Sequence, residues 1–146
     1  YDKYKNDISD RYVTESSLED IQLNAEIISF HIPYDESTHY YLNEKFVQNM
    51  RKKFYLINTA RGKIVKTEAV SKGLKTGKIL GACLDVLEFE TRSFEDMFEQ
   101  EMPLVFKELL ESKNVLLSPH VGGWTKESYK KLSLVLAEKI ELTFGS

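Results

Sequence analysis

Residues 58–70 read NTARGKIVKTEAV, and this stretch decides the fold because a strand-like run enters it, a helix-like run leaves it, and an arginine sits on the turn between. Phe54-Tyr55-Leu56-Ile57-Asn58 is the short apolar run, and Ala60-Arg61-Gly62 is the turn. Beyond it, Ala69, Val70 and Leu74 recur at helical spacing. Thr67 is expected to cap this helix and Gly77 to end it in a left-handed conformation. A strand that hands its chain directly to a helix is the repeating unit of a parallel α/β sheet.

The same unit recurs outward in both directions. Upstream, Ser16-Ser17 followed by Glu19 and Asp20 marks a capped helix running to about Asn24, and Glu26 to His31 reads as a buried strand that ends at Pro33. Asn43 caps a helix through Phe46, Val47 and Met50. Downstream, Ile79 to Leu84 is a third strand, and a longer aromatic and acidic stretch, Phe89 to Met102, leads into a helix from Pro103 to about Ser112 with proline in its first turn. Asn114 to Leu117 is the fourth strand. From Thr125 to about Phe144, Tyr129, Leu132, Val135, Leu136, Ile140 and Leu142 mark a long amphipathic helix. There are no internal repeats or low-complexity segments.

Composition narrows the function classes. The chain has 146 residues, enough for one domain with a real core, and its 42% hydrophobic and 29% charged residues describe an ordinary globular protein. A net charge of −3 gives no reason to expect nucleic-acid binding. No run approaches the roughly 18 apolar residues of a membrane span, and no signal-peptide pattern opens the chain. One cysteine cannot form an internal disulfide; Cys83 lies in an apolar run and is expected to be an inert core thiol in a reducing compartment, which points to the cytoplasm. No metal site is expected.

In parallel sheets ligands bind beyond the carboxyl ends of the strands. His31, Arg61, the acidic run from Asp85 to Glu90, and His120 all fall there. Each alone has an ordinary reading: Arg61 as a surface ion-pair partner, the carboxylates as solvated loop charges, His120 as a packed loop histidine, His31 as structural. Together an arginine, a carboxylate and a histidine form a minimal kit for an anionic substrate, namely a forked clamp, a base, and a group that tunes the base. Gly122-Gly123 lets a flat ligand approach the backbone beside His120.

Four segments, HIPYDEST (31–38), NTARG (58–62), GACLDVLEFE (81–90) and NVLLSPHVGG (114–123), in this order and spacing, resemble the second half of the D-isomer-specific 2-hydroxyacid dehydrogenases. The resemblance implies an α/β, Rossmann-like doubly wound parallel sheet plus a long C-terminal helix, with NAD as cofactor. It implies an oxidoreductase that transfers a hydride between nicotinamide and a D-2-hydroxy acid or 2-keto acid. The matching motif positions are Arg61, Glu90 and His120 for catalysis. For the cofactor they are Asp2 at the adenosine ribose, Ile32 and Pro33 beside adenine and ribose, and Thr38 near the phosphates. Thr59, Ala60 and Arg61 fall on the nicotinamide side, and Asp85, Gly122 and Gly123 at the carboxamide. Spacing alone leaves Glu88 and Glu90 both open as the partner of His120. Trp124 is either a substrate-side wall or the buried start of the last helix.

Phosphoglycerate is the favoured substrate by this resemblance, with D-lactate next. An NAD(H)-sensing corepressor of the same fold is the alternative from another class. Formate dehydrogenases carry glutamine where this chain has Glu90, which argues against that branch. No G-x-G-x-x-G occurs in the chain. The resemblance places that phosphate-binding turn before residue 1, which implies that residues 1–124 are part of a NAD-binding domain and residues 125–146 a helix leading back toward a substrate domain. The isolated chain is then expected to bind cofactor weakly and not to turn over, and the parent protein to be a homodimer.

Overall fold

A computed structural model describes residues 1–89 and 103–145. Four strands, β1 (Ile27–Phe30), β2 (Phe54–Asn58), β3 (Ile79–Leu84) and β4 (Val115–Leu117), form one parallel sheet in the order β1-β2-β3-β4. Ile28 pairs with Leu56, Leu56 with Ala82, and Leu84 with Leu117, so the carboxyl ends of the strands lie side by side. The helices are α1 (Leu18–Asn24), α2 (Glu44–Asn49), α3 (Thr67–Lys75), α4 (Leu104–Glu111) and α5 (Lys126–Phe144), with a 3-10 turn at Gly62–Ile64.

Because consecutive strands are both parallel and adjacent, every connection steps the same way across the sheet, and right-handed crossovers put α2, α3 and α4 on one face. This is one winding half of the doubly wound architecture. Strand alternation follows: Ile28, Phe30, Phe54, Leu56, Ala82 and Leu84 point into the helix layer and are buried with Ile64, Val70, Phe106 and Leu109. Ile27, Tyr55 and Leu116 point to the other face and are exposed. Cys83 shares that face and is exposed, which corrects its expected place in the core: its neighbours Ala82 and Leu84 take the inward positions.

The side-chain caps follow the sequence with one exception, and Pro103, expected in the first turn of α4, stands at its cap position instead. Ser17 Oγ accepts from the Asp20 amide at 3.0 Å, Asn43 Oδ1 from Phe46 at 3.1 Å, and Thr125 Oγ1 from Ser128 at 3.0 Å. Gly77 turns the chain at the end of α3 with φ +68°, as expected. Thr67, however, is the buried first residue of α3 rather than its cap, and Lys66 at the cap position supplies no side-chain bond. Glu108 ties α4 to α3, accepting from Ser71 Oγ and pairing with Lys75, each at 2.6 Å. Helix α5 has no buried residue.

Candidate active site

The arginine turn is built by the last residue of β2. Asn58 is fully buried; its Oδ1 accepts from the Ala60 amide at 3.1 Å and its Nδ2 donates to the Arg61 carbonyl at 3.0 Å. One side chain therefore closes the turn from inside and presents Arg61 outward, where its Nη1 donates to the Ala60 carbonyl at 2.6 Å. Sequence reasoning did not single out Asn58 as a functional residue. The signal was a carboxamide at a strand end, two residues before a turn, the geometry in which asparagine mimics backbone. Gly62 is demanded by packing: a Cβ there would lie 1.8 Å from the Leu87 carbonyl oxygen, so the chain leaving β3 runs directly over the arginine turn.

That chain begins with Asp85, buried, whose amide donates to the Asn58 carbonyl at 3.0 Å. Its carboxylate gathers the turn after β4: Oδ1 accepts from Ser118 Oγ at 2.6 Å and the Val121 amide at 2.9 Å, and Oδ2 from the Gly122 amide at 2.8 Å. A Cβ on Gly122 would come within 2.8 Å of Oδ2, so the glycine serves this approach. Burial raises the Asp85 carboxyl, but the bonds from Ser118, Gly122 and Val121 and the charge of His120 outweigh it and hold the group below the ordinary carboxylate range. His120 sits inside the gathered turn with φ +56°, a left-handed conformation uncommon outside glycine.

Glu88 does different work. Its Oε2 accepts from the Thr67 amide at 2.8 Å, which supplies the cap that α3 lacks, and its Oε1 accepts from the Tyr40 phenol. Glu90 lies outside the described residues, as does the acidic stretch from Thr91 to Met102.

Two cavities open at the carboxyl edge of the sheet. The first, about 660 Å³, brings together Ile32, Pro33, Thr59, Ala60 and Arg61, with Leu87 and Glu88 opposite. The second, about 540 Å³, is lined by Asp2, Ile32, Pro33 and Thr38 among others. They share His31, Ile32 and Pro33 and so adjoin; Asp2 and Thr38 line the second alone, and Thr59, Ala60 and Arg61 the first alone. Asp85, Gly122 and His120 line neither and form their own cluster beside β3. Gly123 follows in the same turn, where a Cβ would meet nothing within 4 Å. Asp2 is exposed, and the amides of Tyr4 and then Lys5, at 2.8 and 3.0 Å, keep its carboxyl lowered and charged. Thr38 Oγ1 donates to the Pro33 carbonyl at 2.9 Å, shaping the loop it stands on. His31 Nε2 lies 2.8 Å from Ser29 Oγ. Trp124 is 69% exposed, so it is not a buried helix start.

Parallel strands in one winding direction, with helices on one face and two adjoining basins at their carboxyl ends, make this an α/β domain of Rossmann-like type. The model of the D-isomer specific 2-hydroxyacid dehydrogenase NAD binding domain matches residues 1–122, and the chain belongs to this family. It is 31% identical to an aromatic 2-oxoacid reductase of Clostridium sporogenes over 97% of this chain and 44% of that protein. It superposes at TM-score 0.80 on a D-isomer specific 2-hydroxyacid dehydrogenase of Lactobacillus delbrueckii ssp. bulgaricus in its NAD complex, with 31% identity, covering 100% of this chain and 45% of the other. A D-lactate dehydrogenase of Aquifex aeolicus, complexed with NAD and lactic acid, superposes at TM-score 0.71 with 32% identity, covering 88% and 40%. The chain spans less than half the length of these relatives.

Proposed function

We propose that the protein carrying this chain is a NAD-dependent oxidoreductase that interconverts a D-2-hydroxy acid and its 2-keto acid. The observation that carries this reading is the Arg61 turn: a guanidinium on the wall of the first cavity, beneath the loop that also holds the His120 turn through Asp85. The donor set fits NAD. Asp2 offers a charged carboxylate to ribose hydroxyls, Ile32 and Pro33 an apolar bed for adenine, and Thr59 and Ala60 the wall of the nicotinamide basin. NAD, when bound, supplies the hydride chemistry.

Arg61 binds the substrate carboxylate through a forked pair of hydrogen bonds and polarises the keto oxygen. His120 donates a proton to that oxygen during reduction and takes it back during oxidation. Glu90 bonds the other imidazole nitrogen and favours its charged form. With both Glu88 oxygens engaged elsewhere, Glu90 is the carboxylate of this loop proposed for that role. Asp85, Gly122 and Gly123 bound the carboxamide side, and Thr38 the phosphate side. Residues 1–124 constitute the nucleotide-binding part and 125–146 the helix that leads out of it. The favoured substrate is 3-phosphoglycerate, with D-lactate next, and the protein works in the cytoplasm as a homodimer.

The test is NADH oxidation against a panel of 2-keto acids that includes 3-phosphohydroxypyruvate and pyruvate. His120→Ala is expected to lower kcat by about a hundredfold or more, while Arg61→Ala raises KM for the keto acid. Tight NADH binding with no turnover on any member would instead favour a nucleotide sensor.

A further inference from the structure

Glu88 is a carboxylate on the wall of a cavity whose Arg61 is read above as an anion clamp. The two stand on segments in direct backbone contact, since Leu87 lies against Gly62. A glutamate so placed is the natural competitor for the guanidinium, and a fixed negative charge that a substrate carboxylate must pass. Yet among the described residues Arg61 makes no ion pair; the three pairs are Lys52–Glu26, Lys66–Glu44 and Lys75–Glu108.

The reason lies in what holds Glu88. One oxygen is taken by the Thr67 amide at the positive end of α3, the other by the Tyr40 phenol. Tyr40 is itself held from both sides of its backbone: its amide donates to the Lys63 carbonyl at 2.9 Å and its carbonyl accepts from Asn43 Nδ2 at 3.0 Å. It adopts φ +49°, a conformation costly for a tyrosine and maintained here by those bonds. The bond to Glu88, then burial and the Glu88 charge, push its phenol up to about 12, so it stays a donor at all physiological pH. Leu42 bridges to Val65 beside it, which joins the Tyr40 segment to the arginine turn.

We propose that Tyr40 is a positioning residue that keeps Glu88 turned onto α3, and thereby leaves the Arg61 guanidinium available to the substrate carboxylate. The substrate part of this inference rests on the reaction proposed above; the availability of Arg61 does not. Two readouts separate them. Phenylglyoxal condenses with unpaired guanidinium groups, and its rate at Arg61 can be followed by peptide mass spectrometry in the protein that carries this chain. Tyr40→Phe is expected to slow labelling at Arg61 roughly fivefold as Glu88 turns to it, and Tyr40→Phe with Glu88→Gln to restore the rate, because glutamine still accepts from Thr67 without a charge.

With the best 2-keto acid of the panel, Tyr40→Phe is expected to raise KM by roughly fivefold with kcat within about twofold, and the difference shrinks between about 0.05 and about 0.5 M salt. The KM for NADH stays the same. A general loosening of the fold would not be reversed by the second substitution. Unchanged labelling in Tyr40→Phe, or a loss that Glu88→Gln does not reverse, overturns the proposal. No turnover by the wild-type protein on any 2-keto acid sinks the proposed reaction alone, and the labelling result still decides the role of Tyr40.

Discussion

Helix α3 has nine residues and buries five of them; helix α5 has nineteen and buries none. Both carry recurring apolar residues, so the contrast does not lie in composition. α3 is fixed at its start by a carboxylate from another segment, packs on α2, α4 and β3, and is bound to α4 through Glu108. α5 is fixed by its Thr125 cap and its own ladder, and Leu132, Leu136, Leu142 and Phe144 all lie exposed. Helical periodicity announces a helix, whereas tertiary contact decides how much that helix contributes to stability.

Three substitutions set the packed turns at the strand ends against the bare helix α5, and the largest effect belongs to the packed side. Gly62→Ala forces a methyl into the Leu87 backbone and is expected to cost roughly 3 kcal/mol, read as a lowered thermal midpoint. A loss below about 0.5 kcal/mol would mean that the β3 exit loop yields and that the site is less rigid than its packing implies.

Asp85→Asn comes next, at about 2 kcal/mol near neutral pH, because an amide nitrogen faces amides that a carboxylate oxygen now satisfies. The sign with pH is fixed by the lowered Asp85 carboxyl. Its contribution is complete above the ordinary aspartate value of about 3.9 and is lost as pH falls through that value toward the lower folded one. Denaturation curves of the variant and the parent should therefore converge in acid, and a gap that stays constant down to about pH 2 would show the charge to be irrelevant. Smallest of all, Leu136→Ser on α5 is expected to change stability by less than about 0.5 kcal/mol. A larger loss would reveal that α5 is covered by something in solution.

Most of the sheet was legible because each strand is a short apolar run between turn residues. Phe54–Asn58 and Ile79–Leu84 appear with the expected limits, and β1 and β4 are slightly shorter than their sequence runs. Arg61 was legible as a strand-end residue, and it lines a cavity with Ile32 and Pro33, which only the family resemblance had pointed to. What could not be read was anything requiring a partner distant in sequence. Thr67 looked like a cap because its chemistry suits one, but Glu88, twenty-one positions later, takes that role. Cys83 looked internal because its run is apolar throughout, and only the helix layer determines which alternate residues face inward. Asn58 seemed an ordinary strand terminus until its side chain was seen to close the turn.

The monotonic strand order has a consequence for how this region comes into being. Each of these four strands joins the edge of the one before it, so this part of the sheet can be assembled in the order in which the ribosome delivers it. The arginine turn emerges early, but the backbone that packs against its Gly62 arrives only with Leu87 and Glu88, behind the third strand. A nascent chain halted between the two would hold this turn by the Asn58 side chain alone, without the Leu87 backbone packed against Gly62.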